Sequence, residues 1–279
     1  PSVVDPPTWT LPTPATGSGC FETMRVYRGR IFRLAAHLGR LAASAQYLGV
    51  RIDPPPMQLG RKLEAAVAAS GLAEAIVRVA LIPESQALRH MRTGRLQRLA
   101  EPSLVVQPVP LPSADSYRRG IRVAIVPTKK FPISQIDPQS KFSARQGSVL
   151  AVLEAQLRGA DEAMFLDVMG SVTESTASNL GVIKHGVFLA PPCWLGLLAG
   201  ITWQALVEAA ATLKLPYQEQ PLTRHDVYNA DEVFLSSTIK EVLSVVEVDG
   251  RRIGNGEPGP VAGRLRRAFQ ALVKRELGE

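Results

Sequence analysis

Hydrophobic positions along this chain switch between a period of two and a period near 3.6, the signatures of strands and helices. The run Cys20-Phe21-Glu22-Thr23-Met24-Arg25-Val26-Tyr27 alternates as a strand. Arg28-Gly29-Arg30 then turns it into Ile31-Phe32-Arg33, which predicts a hairpin. Leu38, Leu41, Ala42 and Ala45 share one face of a helix from Ala35 to Tyr47, with Gly49 where a C-terminal cap belongs. A second helix runs from about Pro56 to Ser70 and is closed by Gly71. Strands from Ala75 to Ile82 and from Ser103 to Val109 complete a first half of mixed α+β character.

Prolines, Ser113 and Asp115 between Pro108 and Gly120 mark a linker. Beyond it the pattern predicts a buried strand from Ile121 to Val126 and a helix from about Ser143 to Arg158. That helix carries Val149, Leu150, Val152, Leu153 and Leu157. Strands follow from Glu162 to Val168, Ser171 to Thr176, Asn179 to Lys184 and Val187 to Ala190. They are separated by the turn pairs Met169-Gly170 and His185-Gly186. A helix from Ile201 to Leu213, strands near 232–236 and 244–248, the hairpin pair Asp249-Gly250 and a basic amphipathic helix from Val261 to Leu277 close the chain. Residues 1–16 are Pro-rich without periodicity and read as an irregular arm.

Composition places these elements in a folded protein, since 46% apolar residues over 279 positions can bury a sizeable core. The formal charge of +7 comes from arginines spread along the chain. They form no stripe interleaved with aromatics, so the expectation is a solvated basic surface or an anionic small substrate, and no nucleic acid. Cys20 and Cys193 lack metal or redox spacing, as in a reduced cytoplasmic protein. His37, His90, His185 and His225 show no metal spacing either. No apolar run is long enough to span a membrane and no signal-peptide pattern is seen; the absence of Met at position 1 points to a trimmed start.

Four short pieces of the second half carry complementary chemistry. Lys141 in Ser140-Lys141-Phe142 is an amine, and Glu174 in Ser171-Val172-Thr173-Glu174 is a carboxylate. Gly200-Ile201-Thr202 opens a predicted helix, whose free amides and dipole suit a phosphate. Ser237 and Thr238 add hydroxyls. Taken singly each has an ordinary explanation: a surface lysine, an exposed strand glutamate, a threonine helix cap. Two further patterns are set aside. Ser237-Thr238-Ile239-Lys240 matches Ser-x-x-Lys without the Lys-Thr-Gly or Ser-Asp-Asn partner, and Gly254-Asn255-Gly256-Glu257-Pro258-Gly259 follows a hairpin instead of opening a βαβ unit.

Taken in order, the pieces resemble the fold-type IV pyridoxal-phosphate enzymes: branched-chain aminotransferases, D-amino-acid transaminases and aminodeoxychorismate lyases. The resemblance is carried by Gly19-Cys20-Phe21-Glu22-Thr23-Met24-Arg25-Val26, Phe32-Arg33 with His37 and Arg40-Leu41, Glu154-Ala155, Gly159-Ala160-Asp161-Glu162-Ala163, Leu166-Asp167, and Gly170 to Glu174. It continues through Ser178-Asn179-Leu180, Gly200-Ile201-Thr202, Ala230-Asp231-Glu232-Val233-Phe234 and Asp249-Gly250-Arg251. It implies a two-domain α+β fold: a small α/β N-terminal domain over 1–112, a linker over 113–120, and a C-terminal cofactor domain over 121–279 with a β-barrel-like core.

By that resemblance Lys141 condenses with the aldehyde of pyridoxal 5'-phosphate and moves the substrate proton, while Glu174 keeps the pyridine nitrogen protonated. Gly200, Ile201, Thr202, Ser237, Thr238 and Arg33 hold the phosphate, and Leu198 lies against the ring. Arg25, Tyr27, Arg78 and Arg145 are the candidates for substrate carboxylates. The implied reaction moves an amino group between a branched-chain or D-amino acid and a 2-oxo acid. The implied assembly is a homodimer whose sites borrow a partner loop. Departures keep a second activity in view. Gln146 stands where branched-chain enzymes carry tyrosine, Trp203 where arginine is usual, and Arg145 and Gly-x-Gly-Cys-Phe are more like the lyases that release pyruvate and 4-aminobenzoate. From another class, a basic RNA-binding or scaffold protein could keep this fold without its chemistry.

Overall fold

A computed structural model describes residues 19–82, 98–100 and 102–278; the arm 1–16 and His90 lie outside the described residues. The first half is built as β1 (Cys20–Tyr27), β2 (Arg30–Ile31), α1 (Leu34–Tyr47), β3 (Val50–Ile52), α2 (Pro56–Ser70), β4 (Ala75–Leu81), β5 (Arg98–Ala100) and β6 (Pro102–Pro108). The hairpin turn forms at Arg28 and Gly29, with φ of 50° and 77°, the twist that a tight two-residue turn requires. An antiparallel sheet of order β2-β1-β4-β6 results, while β3 and β5 make a separate parallel pair. The period-two pattern of β1 then divides labour between its faces. Cys20, Met24 and Val26 join Leu41, Leu59, Leu63, Val77 and Leu81 in a core beneath the helices. The alternate residues Phe21, Thr23, Arg25 and Tyr27 look the other way, toward the second half.

Ser113 accepts a hydrogen bond from the Ser116 N–H at 3.0 Å and caps a short helix, α3 (Ala114–Arg119), so most of the segment read as linker is helical. The second half continues as β7 (Ile121–Ile125), α4 (Gln146–Leu157), β8 (Glu162–Leu166), β9 (Val172–Ser175), β10 (Asn179–Lys184), β11 (Val187–Ala190), α5 (Ile201–Thr212), β12 (Tyr217–Glu219), α6 (Arg224–Tyr228), β13 (Glu232–Ser237), β14 (Glu241–Val248), β15 (Arg251–Arg252) and α7 (Pro260–Glu276). Its mixed sheet runs β12-β11-β10-β13-β14-β7-β8-β9, with β15 on β14. A tight turn, Ser175 N–H to Ser178 O at 2.8 Å, joins the last strand of this path to β10, so the sheet curls on itself. Val123, Leu166, Val182, Leu235 and Val245 fill its inside. Helices α5 and α7 cover Phe188 and Phe234 on the outside through Ala205, Leu206, Ala209 and Phe269.

Helix α4 reverses the expectation from its leucines. It buries Ala151 and Ala155, whereas Val149, Leu150, Leu153 and Leu157 are 50–89% exposed. Small side chains let the helix lie close on Val126, Ala163 and Phe165. The loop Gly254–Gly259 is also explained. The Glu232 carboxylate accepts the N–H groups of Val261 and Ala262, each at 2.8 Å, and so occupies the helix N-terminus that a dinucleotide would need. Among the described residues no helix is long and apolar enough to cross a membrane, and no cluster of His, Cys, Asp and Glu could hold a metal ion.

Candidate active site

A cavity of about 680 Å³ lies between the odd-numbered face of β1 and the mouth of the curled sheet. The lysine segment is pinned there by backbone. Phe21 donates its N–H to Lys141 O at 3.0 Å, Ser143 to Gly19 O at 2.8 Å, and the Lys141 N–H reaches Ser44 Oγ at 3.0 Å. The Lys141 amine enters the cavity 5.0 Å from the centre of the Phe21 ring. Burial, aided by the charges of Arg40 and Arg145 and opposed by Glu22 and Glu174, brings its pKa down to about 8. Roughly a tenth of the amine is therefore neutral at pH 7, far more than for a solvated lysine.

Glu174 rises from β9, 6% exposed, and faces the same space. It pairs with the Lys130 ammonium and accepts the Leu198 N–H at 3.2 Å and Asn179 Nδ2 at 3.4 Å. Asn179 also donates to Leu198 O at 2.8 Å, so β9 and β10 together hold the loop that leads into α5. Gly200 is the N-cap of α5, extended at φ −69°, and no side chain caps the helix. A Cβ on Gly200 would stand 2.1 Å from Asn179 Oδ1, which is why glycine is needed. Thr202, taken singly, could have been the cap; it lies instead inside the first turn, and Gly200, Ile201 and Thr202 all line the cavity.

An arginine reaches this helix end, but it is Arg40. Its Nη1 donates to Ala199 O at 2.7 Å, and its Nε and Nη2 bond Glu22 at 2.6 and 2.8 Å. Glu22 is wholly buried and also meets His37 Nδ1 at 2.8 Å. Burial pushes the Glu22 carboxyl up, yet the hydrogen bonds from Arg40 and His37 and the charge of Arg40 outweigh it and bring it down to about 2. Burial in turn lowers His37, so the ring is neutral with its proton on Nδ1, toward the carboxylate.

Arg33 does not line the cavity. It enters α1 at φ 50°, and its guanidinium bonds Glu208 of α5 (Nη1, 3.0 Å) and Glu276 of α7 (Nη2, 2.7 Å), clipping the two halves together on the outside. Arg25 and Tyr27 are likewise outside it, on Glu74 at 2.6 Å and Glu241 at 3.0 Å, because β1 carries its odd face past the end of the cavity. The other nominated residues meet there: Arg78, Lys141, Arg145, Glu174, Leu198, Gly200, Ile201, Thr202, Ser237 and Thr238. Among the described residues Arg78 makes a long hydrogen bond to Thr23 Oγ1 at 3.4 Å and lies over the Phe21 ring at 5.3 Å, and Arg145 donates to Thr176 O. Neither meets a carboxylate among the described residues. Burial lowers both pKa values, and the charge of Arg145 adds to the effect on Arg78.

Sequence reasoning missed Lys130 and the roles of Glu22, His37 and Arg40. The last three were signalled, since His37 and Arg40 are three apart on one helix face and opposite β1. Nothing singled out Lys130. The donor set suits pyridoxal phosphate: an amine able to lose its proton, a carboxylate placed beyond it, and a helix N-terminus with an arginine for the phosphate.

The model of the family amino-transferase class IV matches residues 19–248. The branched-chain-amino-acid aminotransferase of Pseudomonas aeruginosa is 33% identical over 262 residues, 92% of this chain and 84% of that protein. The crystal structure of a T.th. branched-chain amino acid aminotransferase with pyridoxamine 5'-phosphate is 30% identical and superposes with a TM-score of 0.86, over 92% of this chain and 85% of that one. The same enzyme complexed with N-(5'-phosphopyridoxyl)-L-glutamate gives a TM-score of 0.85 at 30% identity, over 93% and 86%. A curled sheet with a half-buried lysine, and a family match spanning both halves, lead to one conclusion: the chain belongs to the class IV aminotransferases, pyridoxal-phosphate-dependent enzymes that pass an amino group from an amino acid to a 2-oxo acid.

Proposed function

We propose that Lys141 is the amine that holds the cofactor and moves the substrate proton, and that this protein exchanges amino groups between aliphatic, branched-chain amino acids and a dicarboxylic 2-oxo acid. The observation that carries this reading is the Lys141 amine, brought down to about 8 in a cavity that is also lined by an uncapped helix N-terminus. Bound pyridoxal phosphate supplies an electrophilic carbon and a ring that accepts electrons from the substrate. The chain's own residues supply the rest. Gly200, Ile201 and Thr202 offer amides and a hydroxyl to the phosphate, with Ser237 and Thr238 beside them and Arg40, not Arg33, as the cation. Glu174 would accept a ring N–H, and Leu198 would lie against the ring. Neutral Lys141 takes a proton from the substrate carbon and returns it as an acid.

Phe21, Ala80, Ile82, Phe131 and Phe142 give the substrate side an apolar wall, which suits a branched aliphatic side chain. Arg78 and Arg145, without carboxylate partners of their own among the described residues, suit the carboxylates of an acidic substrate. The similar T.th. enzyme in complex with phosphopyridoxyl-L-glutamate supports the second half of that statement. Arg145 in the cavity also favours a second reading, the lyase reaction on aminodeoxychorismate, a substrate with two carboxylates. Incubation with branched-chain donors plus 2-oxoglutarate, and separately with aminodeoxychorismate, decides between them. Amino transfer in the first mixture supports the proposal; pyruvate release in the second without transfer in the first rejects it.

A homodimer belongs to the same proposal. Val149, Leu150, Leu153 and Leu157 of α4 form a ridge, and Val168 and Met169 are also 64% and 86% exposed. An apolar helix face of this kind is characteristic of an interface. The lysine segment runs directly into α4, so a partner on that ridge would lie close to the cavity.

A further inference from the structure

Arg25 and Tyr27 face a second cleft, of about 450 Å³, and Leu111 walls both this cleft and the main cavity. Arg25 is its unusual member. It is 5% exposed and gives Nη2 to Glu74 at 2.6 Å, while its Nε and Nη1 meet no acceptor among the described residues. Stacking 4.6 Å above the Tyr27 ring offsets only part of that desolvation. Across the cleft α7 contributes Arg266, Arg267 and Lys274, and the β1–β2 turn contributes Arg28. Arg267 and Lys274, two turns apart on one helix face, have no ion pair among the described residues.

Against Arg25, Arg266, Arg267 and Lys274 stand two carboxylates among the described residues, and both are engaged. Glu241 accepts from Tyr27 Oη at 3.0 Å, Gln270 Nε2 at 2.8 Å and Arg266 Nε at 3.3 Å. Glu74 accepts from Arg25 and from the Arg28 N–H at 3.2 Å. Among the described residues the cleft is thus concave, positively charged beyond what its own acids balance, and floored by a buried guanidinium that is incompletely paired. We propose that it is an anion-binding site, separate from the active site, for a compact dianion bearing phosphate or paired carboxylate groups. Concave walls keep such a ligand from full screening, so the attraction is stronger than on an open basic surface.

The test is calorimetric titration of the pyridoxal-phosphate-loaded enzyme with inorganic phosphate, and in parallel with malonate, in low-salt zwitterionic buffer. The loaded enzyme has its own phosphate subsite filled, and the two probes separate the two ligand chemistries. Saturable binding with a Kd below about 1 mM that persists in the Arg78→Ala protein is expected for at least one probe. The Arg267→Ala/Lys274→Ala protein, altered only at exposed residues, should bind at least about tenfold more weakly, and Arg78→Ala, inside the main cavity, within about twofold of the unaltered enzyme. Absence of saturable binding by both probes, binding that survives the double substitution, or binding lost in Arg78→Ala would overturn the proposal.

Discussion

Lys141 stores a penalty that the unloaded protein must carry. Its folded pKa, about 8, lies below the ordinary 10.5, so between these values the unfolded chain holds more protons and stability rises with pH. At pH 7 the whole penalty is present. Lys141→Met is expected to stabilise cofactor-free protein at pH 7 by up to about 3 kcal/mol, with the gain vanishing as pH rises from 8 to 10.5. Urea denaturation across that range checks it; a less stable variant at pH 7 would show that the amine is not under strain. Glu22 works with the opposite sign. Its carboxyl is held at about 2, so its stabilisation is full above the ordinary 4.5 and is lost as pH falls toward 2. Glu22→Gln weakens the hold on Arg40 and is expected to loosen pyridoxal phosphate about tenfold, whereas Arg33→Ala, being outside the cavity, leaves cofactor affinity unchanged. Equilibrium dialysis distinguishes the two. At this scale the sequence told less than it seemed to. Phe32-Arg33 and His37 with Arg40 stood in the same motif, and the side-chain partners, Glu208 and Glu276 for Arg33 and Ala199 O for Arg40, reveal which guanidinium turns inward.

Elements were the most legible level, because their periods come straight from backbone geometry. Helix α2 and strands β10 and β11 occupy the residues that the pattern assigned to them. What failed was the inference from apolar to buried in α4. Its alanines pack and its leucines do not, since the sheet beneath leaves room only for small side chains. Leu150→Glu with Leu153→Glu is therefore expected to leave the fold intact and to convert a dimer into monomers, read by light scattering; a monomeric unaltered protein would refute the interface. Short elements α3, α6 and β12 escaped the pattern because a few residues carry too little periodicity to register. At the N-terminus of α5 the constraint is steric. Gly200→Ala drives a methyl into Asn179 Oδ1, and cofactor affinity is expected to fall at least about tenfold. Unchanged affinity would mean that the loop before α5 can yield.

Neither half of the molecule holds the site alone. The first contributes Phe21, Arg40 and the strand to which the lysine segment is hydrogen-bonded; the second contributes Lys141, Glu174 and the helix end. That convergence was legible only through the resemblance, since the residues lie more than a hundred positions apart and no local pattern links them. Four lysines, Lys129, Lys130, Lys141 and Lys240, line the same cavity, so the identity of the cofactor amine is a real choice. Lys130 and Lys240 are engaged by Glu174 and Glu162, whereas Lys141 has no carboxylate in direct contact among the described residues. Borohydride reduction of the pyridoxal-phosphate-loaded protein, followed by peptide mapping, reads this out directly. The phosphopyridoxyl group should be found on the peptide containing Lys141, and Lys141→Ala should take none; a label on Lys129, Lys130 or Lys240 in the unaltered protein would contradict the account.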